Sequence, residues 1–116
     1  MDLNELVKEF ADCVAAQGDA IAKSDPNAGN RFARRYIAAF EDIRGHGDLG
    51  RDALAGLLDD ARPEVRVMAA AYLLRHSGDR ARAVLEAEAK GKGVVAFGAA
   101  QALQRWKEGT WALDSK

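Results

Sequence analysis

The segment Asp59–His76 reads D-D-A-R-P-E-V-R-V-M-A-A-A-Y-L-L-R-H, an acidic turn running into a proline and then into a nearly uncharged run. Pro63 suits the first turn of a helix, because its φ is already helical and its missing N–H would have no partner there. Beyond it Val65, Met68, Ala69, Tyr72, Leu73 and His76 recur at three-and-four spacing and trace one helical face. Val67, Ala70, Ala71 and Leu74 trace the opposite face, and only Glu64, Arg66 and Arg75 interrupt the apolar surface from its flanks. A helix that is apolar all round is covered on two sides. This one is therefore expected as the middle layer of a helical stack.

A later helix lies over it at a shift of 30 residues: Val65 falls on Val95, Ala69 on Ala99, Ala70 on Ala100, Leu73 on Leu103 and Arg75 on Arg105. The differences carry more information than the matches. Where the earlier helix has Ala71 and Leu74, the later one has Gln101 and Gln104. A terminal unit of a stacked array turns a polar face to water, so the later helix reads as the end of the stack.

Composition sets the outer bounds. A chain of 116 residues is expected to form one domain, 1–116, with a core of its own. An apolar fraction of 48% and a charged fraction of 30% fit a globular chain rather than a disordered one. The net charge of −1 provides no bulk attraction to nucleic acid or to an anionic membrane. No run approaches the ~20 apolar residues of a membrane helix, and the N-terminus lacks a basic-then-apolar secretory pattern. The lone Cys13 has no internal disulfide partner, which points to a reducing cytoplasm. With few β-branched clusters and abundant alanine, leucine and arginine, the chain reads as all-α.

In chain order, Asp2 and Glu5 have the spacing of a capping box, and Leu3, Leu6, Val7, Phe10, Val14 and Ile21 trace a long amphipathic helix weakened at Gly18. S-D-P-N-A-G-N at Ser24–Asn30 is a turn, with Asn27 or Asn30 as the next cap. The helix that follows turns Phe32, Tyr36, Ala39, Phe40 and Ile43 inward and Arg31, Arg34, Arg35, Glu41 and Asp42 outward. Gly45–Asp48 stops it, with Asp48 as the next cap, and Leu54, Leu57 and Leu58 face inward on a short helix. Ser77-Gly78-Asp79 and Lys90–Gly93 bracket another helix carrying Ala81, Val84 and Leu85. The last helix runs to about Lys107 with Trp106 on its core side, and Trp111 and Leu113 fold back over the open end of the core. Six helices result, and connections this short favour three stacked antiparallel hairpins.

The turn Asp60-Ala61-Arg62-Pro63-Glu64-Val65-Arg66 resembles the inter-helix turn of HEAT-type repeats, although 30 residues is shorter than their usual period of roughly 40–47. The whole chain resembles the bacterial family known as domain of unknown function 2019. The likeness rests on the N-terminal L-V-K-E-F, on G-R-D-A-L-A-G-L-L-D-D-A-R-P-E-V-R, and on the closing A-L-Q-R-W-K-E-G-T-W. It implies a small HEAT-like α-α superhelix and supplies no catalytic residues. The chain departs at Arg62, where the family has Asp or Asn able to cap the helix. Arginine offers no acceptor, so a cap worth ~1 kcal/mol is forgone unless Asp60 or Asp59 reaches over, and Arg62→Asn is expected to stabilise the fold.

Chemistry-bearing patterns are sparse. His46 and His76 are far apart and followed by Gly and Ser, with no second His or Cys at ligand spacing, so no metal or other cofactor is expected. Ser24, Ser77, Ser115 and Thr110 fall in turns or the tail, outside any G-x-S-x-G context, and G-K-G at Gly91–Gly93 is not a phosphate loop. Asp59 and Asp60 are expected to hold Arg66 or backbone N–H groups. Cys13 is read as a packing residue, with no neighbouring His or basic cluster to lower its pKa. The Arg31, Arg34 and Arg35 cluster beside Tyr36 raises nucleic-acid binding. Pairing of Arg35 and Arg34 with Asp42 and Glu41 is the favoured alternative.

Repeat stacks without catalytic equipment are recognition surfaces. The outward positions of the second helices are Arg31, Arg34 and Arg35, then Val67, Ala71, Leu74 and Arg75, then Phe97, Gln101, Gln104 and Arg105. The expectation is a non-enzymatic protein-binding module, monomeric or weakly dimeric, whose partner is another protein. One version is a bacterial immunity protein that neutralises a cognate toxin. The alternatives are a small-molecule or enzymatic pocket around Tyr36, Tyr72, Trp106 and Trp111, and a nucleic-acid-binding repeat. Neighbouring helices that cover Val67 and Leu74 would shrink the strip to its polar flanks.

Overall fold

The first helix opens on the capping box: the Asp2 carboxylate accepts the Glu5 N–H at 2.8 Å, and the Glu5 carboxylate accepts the Asp2 N–H at 3.1 Å. In this computed structural model, which describes residues 1–114, the helix α1 then runs through Leu3–Ala22 without a break at Gly18. Contacts between Cα positions divide the chain into two compact units, Met1–Gly56 and Leu57–Lys116. The described residues hold six α-helices and no strand.

In the first unit, Ser24 at φ 56° turns the chain and Asp25, rather than Asn27 or Asn30, caps α2 (Pro26–Gly45) by accepting the Ala28 N–H at 3.1 Å. Pro26 occupies the first turn, where its lost N–H is harmless. A three-residue connection forces α2 antiparallel to α1. Gly29 sits opposite Ala20, and the Tyr36 ring meets the edge of Phe10 at 5.7 Å between centroids. Phe10, Val14, Phe40 and Ile43 are sealed between the two helices. Gly47, in the left-handed region at φ 65°, rather than Asp48, caps α3 (Asp48–Ala55), which packs on both α1 and α2. A Cβ on Gly50 would lie 1.9 Å from the Ile43 carbonyl oxygen, so only glycine lets α3 approach the end of α2 this closely. A 3-10 turn, Gly56–Asp59, follows.

In the second unit, α4 (Pro63–Tyr72) packs on α5 (Gly78–Ala89) and α6 (Val94–Glu108). The helix ends four residues short of the expected His76, and Leu73–His76 form turns that carry the chain into α5. Both apolar faces are nonetheless buried, from Val65, Ala69 and Leu73 on one side to Val67, Ala70, Ala71 and Leu74 on the other. Ten residues are too few for a stable isolated helix. Burial of both faces is what holds α4 in place.

Arg66 organises the loop in front of it. Its guanidinium donates to the Asp60 and Ala61 carbonyls at 2.8 and 3.1 Å and to the Glu88 carboxylate of α5 at 2.7 Å. The expected role of Asp60 toward Arg66 thus falls to its backbone. Its carboxylate takes the Arg62 N–H at 2.9 Å and the Arg62 guanidinium at 3.0 Å. Asp59 lies 3.6 Å from Arg80. Arg62 makes no side-chain cap, as its chemistry requires. Arg62→Asn would exchange the half-exposed ion pair with Asp60, worth up to about 1 kcal/mol, for a cap worth ~1 kcal/mol, and it leaves the Arg62 N–H bond to Asp60 in place.

The tail folds back as expected at Trp111, whose indole N–H donates to the Ala71 carbonyl at 2.8 Å and whose ring meets Trp106 edge-on at 5.2 Å. Leu113 stays exposed instead of covering the core. The buried side chain is Asp114, with its carboxylate 3.4 Å from the Arg75 guanidinium. No helix among the described residues is long and apolar enough to cross a membrane.

Two outcomes are expected in urea denaturation. Gly50→Ala destabilises the protein by about 2 kcal/mol or more, since backbone must move to admit the methyl group. Gly98→Ala in α6, where an added Cβ meets nothing, stabilises by about 0.5–1 kcal/mol. The third expectation concerns pH. The Arg62 hydrogen bond holds the Asp60 carboxyl below its ordinary value, against the opposing effect of partial burial. A depressed folded-state pKa stabilises the fold above the unfolded-state value and loses that effect as pH falls through the folded one. Asp60→Asn should therefore lower the melting temperature most at neutral pH, and the gap should close below the carboxylate range.

Candidate functional surface

The eleven residues proposed from the sequence divide by accessibility. Arg31, Arg34 and Arg35 are exposed on α2. Arg35 is committed, forming a two-pronged contact with the Glu9 carboxylate at 3.1 Å through each prong, and it lies 5.9 Å from the Phe32 ring centroid. The pairing expected with Asp42 and Glu41 is not made: Glu41 holds Arg44. Arg31 and Arg34 have no ion pair or hydrogen bond among the described residues.

The α4 members of the set are corrected. Val67, Ala71 and Leu74 are buried, with Val67 8% exposed and Leu74 1%. The Trp111 indole sits on the Ala71 carbonyl, and the strip belongs to the core. Arg75 is exposed but engaged by Asp114, and its guanidinium lies 5.8 Å from the Trp111 ring centroid.

The α6 members share one exposed face. The helix buries Ala96 and Ala99, half-buries Val95, Ala102, Leu103 and Trp106, and presents Val94, Phe97, Gly98, Ala100, Gln101, Gln104 and Arg105 to solvent. Its first half is apolar, with Val94 70% exposed and Phe97 65% exposed. Its second half is polar, with Gln104 donating to Glu108 at 2.9 Å and Arg105 reaching Gln101 at 3.4 Å. Gly109 at φ 79° closes the helix in the left-handed conformation.

The aromatic side chains proposed as a pocket are taken up by packing. The Tyr36 hydroxyl donates to Gln17 at 3.3 Å, and burial pushes its phenol pKa up. Tyr72 is buried, and Trp106 and Trp111 meet edge to face. An open depression of about 440 Å³ in the first unit is lined instead by Met1, Leu6, Glu41, Asp42, Gly45 and His46. Among the described residues no three His, Cys, Asp or Glu side chains gather as a metal-ligand set. Burial raises the Cys13 thiol, Glu9 raises it further, and the opposing influence of Arg35 is outweighed. Such a thiol is a poor nucleophile. Ser24, Ser77 and Thr110 lie at turns or helix ends, and Ser115 lies outside the described residues.

The sequence reading missed Lys90 and Lys92, which stand exposed in the loop before α6. The pattern Lys90–Gly93 reads as a helix stop and its G-K-G as no phosphate loop, although both lysines lie a few residues before Phe97 in the sequence.

Comparisons with known proteins place the fold and the family. The crystal structure of the protein RPA1889 from Rhodopseudomonas palustris CGA009 superposes with a TM-score of 0.88 at 26% identity, covering 97% of this chain and 93% of that one. No curated protein matches. A family model described as "Domain of unknown function (DUF2019)" matches residues 4–106, a span that includes α2 to α5 whole and nearly all of α1 and α6. The chain belongs to the DUF2019 family.

Proposed function

We propose that this chain is a protein-binding module acting through the outer face of α6, with no catalytic activity of its own. The observation that carries the reading is a contrast between two helices 30 residues apart. The positions that bury Val67 and Ala71 in α4, and Leu74 in the turn after it, carry Phe97, Gln101 and Gln104 in α6, where all three are exposed. Two of the three changed to polar residues, as a helix facing only water requires. The third became a larger apolar side chain. Glu64 likewise gives way to Val94, so the more exposed helix is the more apolar at that position. A rigid helix that holds an aromatic and a valine in water, beside glutamines and an arginine, has the composition of an interface core with a polar rim.

The antiparallel hairpin α1–α2 and the Arg66-anchored turn before α4 support a HEAT-like description of the architecture. The narrower reading, an immunity protein that occludes a toxin in a bacterial cytoplasm, takes its support from the exposed apolar face of α6 and from a sequence without a catalytic signature. A toxin reading frame next to the gene would strengthen it.

The test is affinity capture from the native host with wild-type protein and a Phe97→Ala variant, followed by titration of whatever is retained. Phe97 is largely exposed, so its removal is expected to cost the fold little, which the melting temperature of the variant checks. The partner's affinity should fall by about tenfold or more, as for a buried aromatic anchor. A partner that binds both proteins equally would place the interface elsewhere.

A further inference from the structure

Building on the reading of α6 as the contact surface, we infer that its partner is a different protein presenting an apolar recess bordered by carboxylates. The α6 region carries positive charge that the chain leaves unbalanced. Residues 90–108 contain Lys90, Lys92, Arg105 and Lys107 against the single carboxylate of Glu108. Glu108 is occupied by the Gln104 amide, and Arg105 reaches only the Gln101 amide. Lys90, Lys92 and Lys107 are exposed and have no ion pair or hydrogen bond among the described residues.

The rest of the unit is balanced differently. Arg62, Arg66, Arg75, Arg80 and Arg82 each meet a carboxylate: Asp60, Glu88, Asp114, Asp59 and Asp79 respectively. The unmatched cations therefore concentrate at the two ends of the helix that exposes Phe97. Lys90 and Lys92 precede its first turn, and Arg105 and Lys107 lie in its last, roughly 16 Å along the axis from Val94. An aromatic knob with cations at both ends is matched by a recess with anions at both ends.

Other occupants fit less well. A second copy docking α6 against α6 about a twofold axis would set cation against cation, because both sides of such a contact are the same surface. An anionic membrane would have to accept Gln101, Gln104 and Glu108 beside only two large apolar side chains, far short of an interfacial helix. Nucleic acid would find four cations around α6 on a chain of net charge −1, with a single exposed aromatic there for a base to stack on.

Random linear peptides displayed on phage, selected against the intact protein, test the inference. Enriched peptides should be acidic and carry a large apolar residue. Their affinity should fall about tenfold or more with Lys90→Glu/Lys92→Glu and with Phe97→Ser, and weaken as salt is raised. Neutral or basic winners that still depend on Phe97 would overturn the acidic assignment while leaving α6 as the contact surface. Winners indifferent to Phe97→Ser would overturn both. Failure to enrich any peptide would overturn the acidic assignment. So would tighter Lys90/Lys92-dependent binding to phosphatidylserine vesicles or duplex DNA, or Phe97-dependent self-association in sedimentation.

Discussion

The short helix Pro63–Tyr72 is buried on both of its faces, and the second unit is arranged around that fact. Small side chains make it workable. Ala69, Ala70 and Ala71 let neighbouring elements come close, while Val65, Val67 and Tyr72 fill the volume that remains. A buried helix also needs its entry loop held in place, and the part-buried Asp60 carbonyl there needs a donor. Arg66 meets that demand, with one side chain serving two loop carbonyls and the Glu88 carboxylate. The rigid, forked guanidinium suits this role where a lysine would not.

From that enclosure the character of α6 follows. The two helices share inward residues at Ala69 and Ala99 and at Leu73 and Leu103, yet differ in what lies on their backs. Covered Val67 and Leu74 are core. Uncovered Gln101 and Gln104 are what water requires, and uncovered Phe97 is the exception that points to recognition. The unit's ion pairs sharpen the contrast, since the arginines of α4 and α5 meet carboxylates while the cations around α6 do not.

Much of the fold was legible because it is written in local patterns. The Asp2–Glu5 box, the amphipathic faces of α1 and α2, Pro63 and the polar back of α6 all report through spacing alone. What was misread depends on information that spacing lacks. Pro26 looked like a breaker, which hid Asp25 as the cap and the proline as the first helical residue. Periodicity continued through Leu74 and His76, although the backbone had already turned after Tyr72. A helical wheel gave α4 a second apolar face without saying whether anything covered it, so Val67, Ala71 and Leu74 were placed on a surface they do not reach. Gly50 gave no sign of its role, since the constraint is the Ile43 carbonyl across a helix pair. Asp114 was overlooked because a carboxylate near the end of a chain is ordinarily solvated, and the Arg75 guanidinium beside it helps to offset its burial.

Native-state hydrogen exchange, resolved by residue across the second unit, tests the central claim most directly. If α4 is enclosed on both faces, the Arg66–Tyr72 amides exchange more slowly than any others in that unit, and only through its cooperative unfolding. The outer-face amides of α6 at Phe97, Gly98 and Gln101 exchange faster, by local opening. Amides of α4 that exchange as fast as those of α6 would show that α4 lies at the periphery, and would contradict the account.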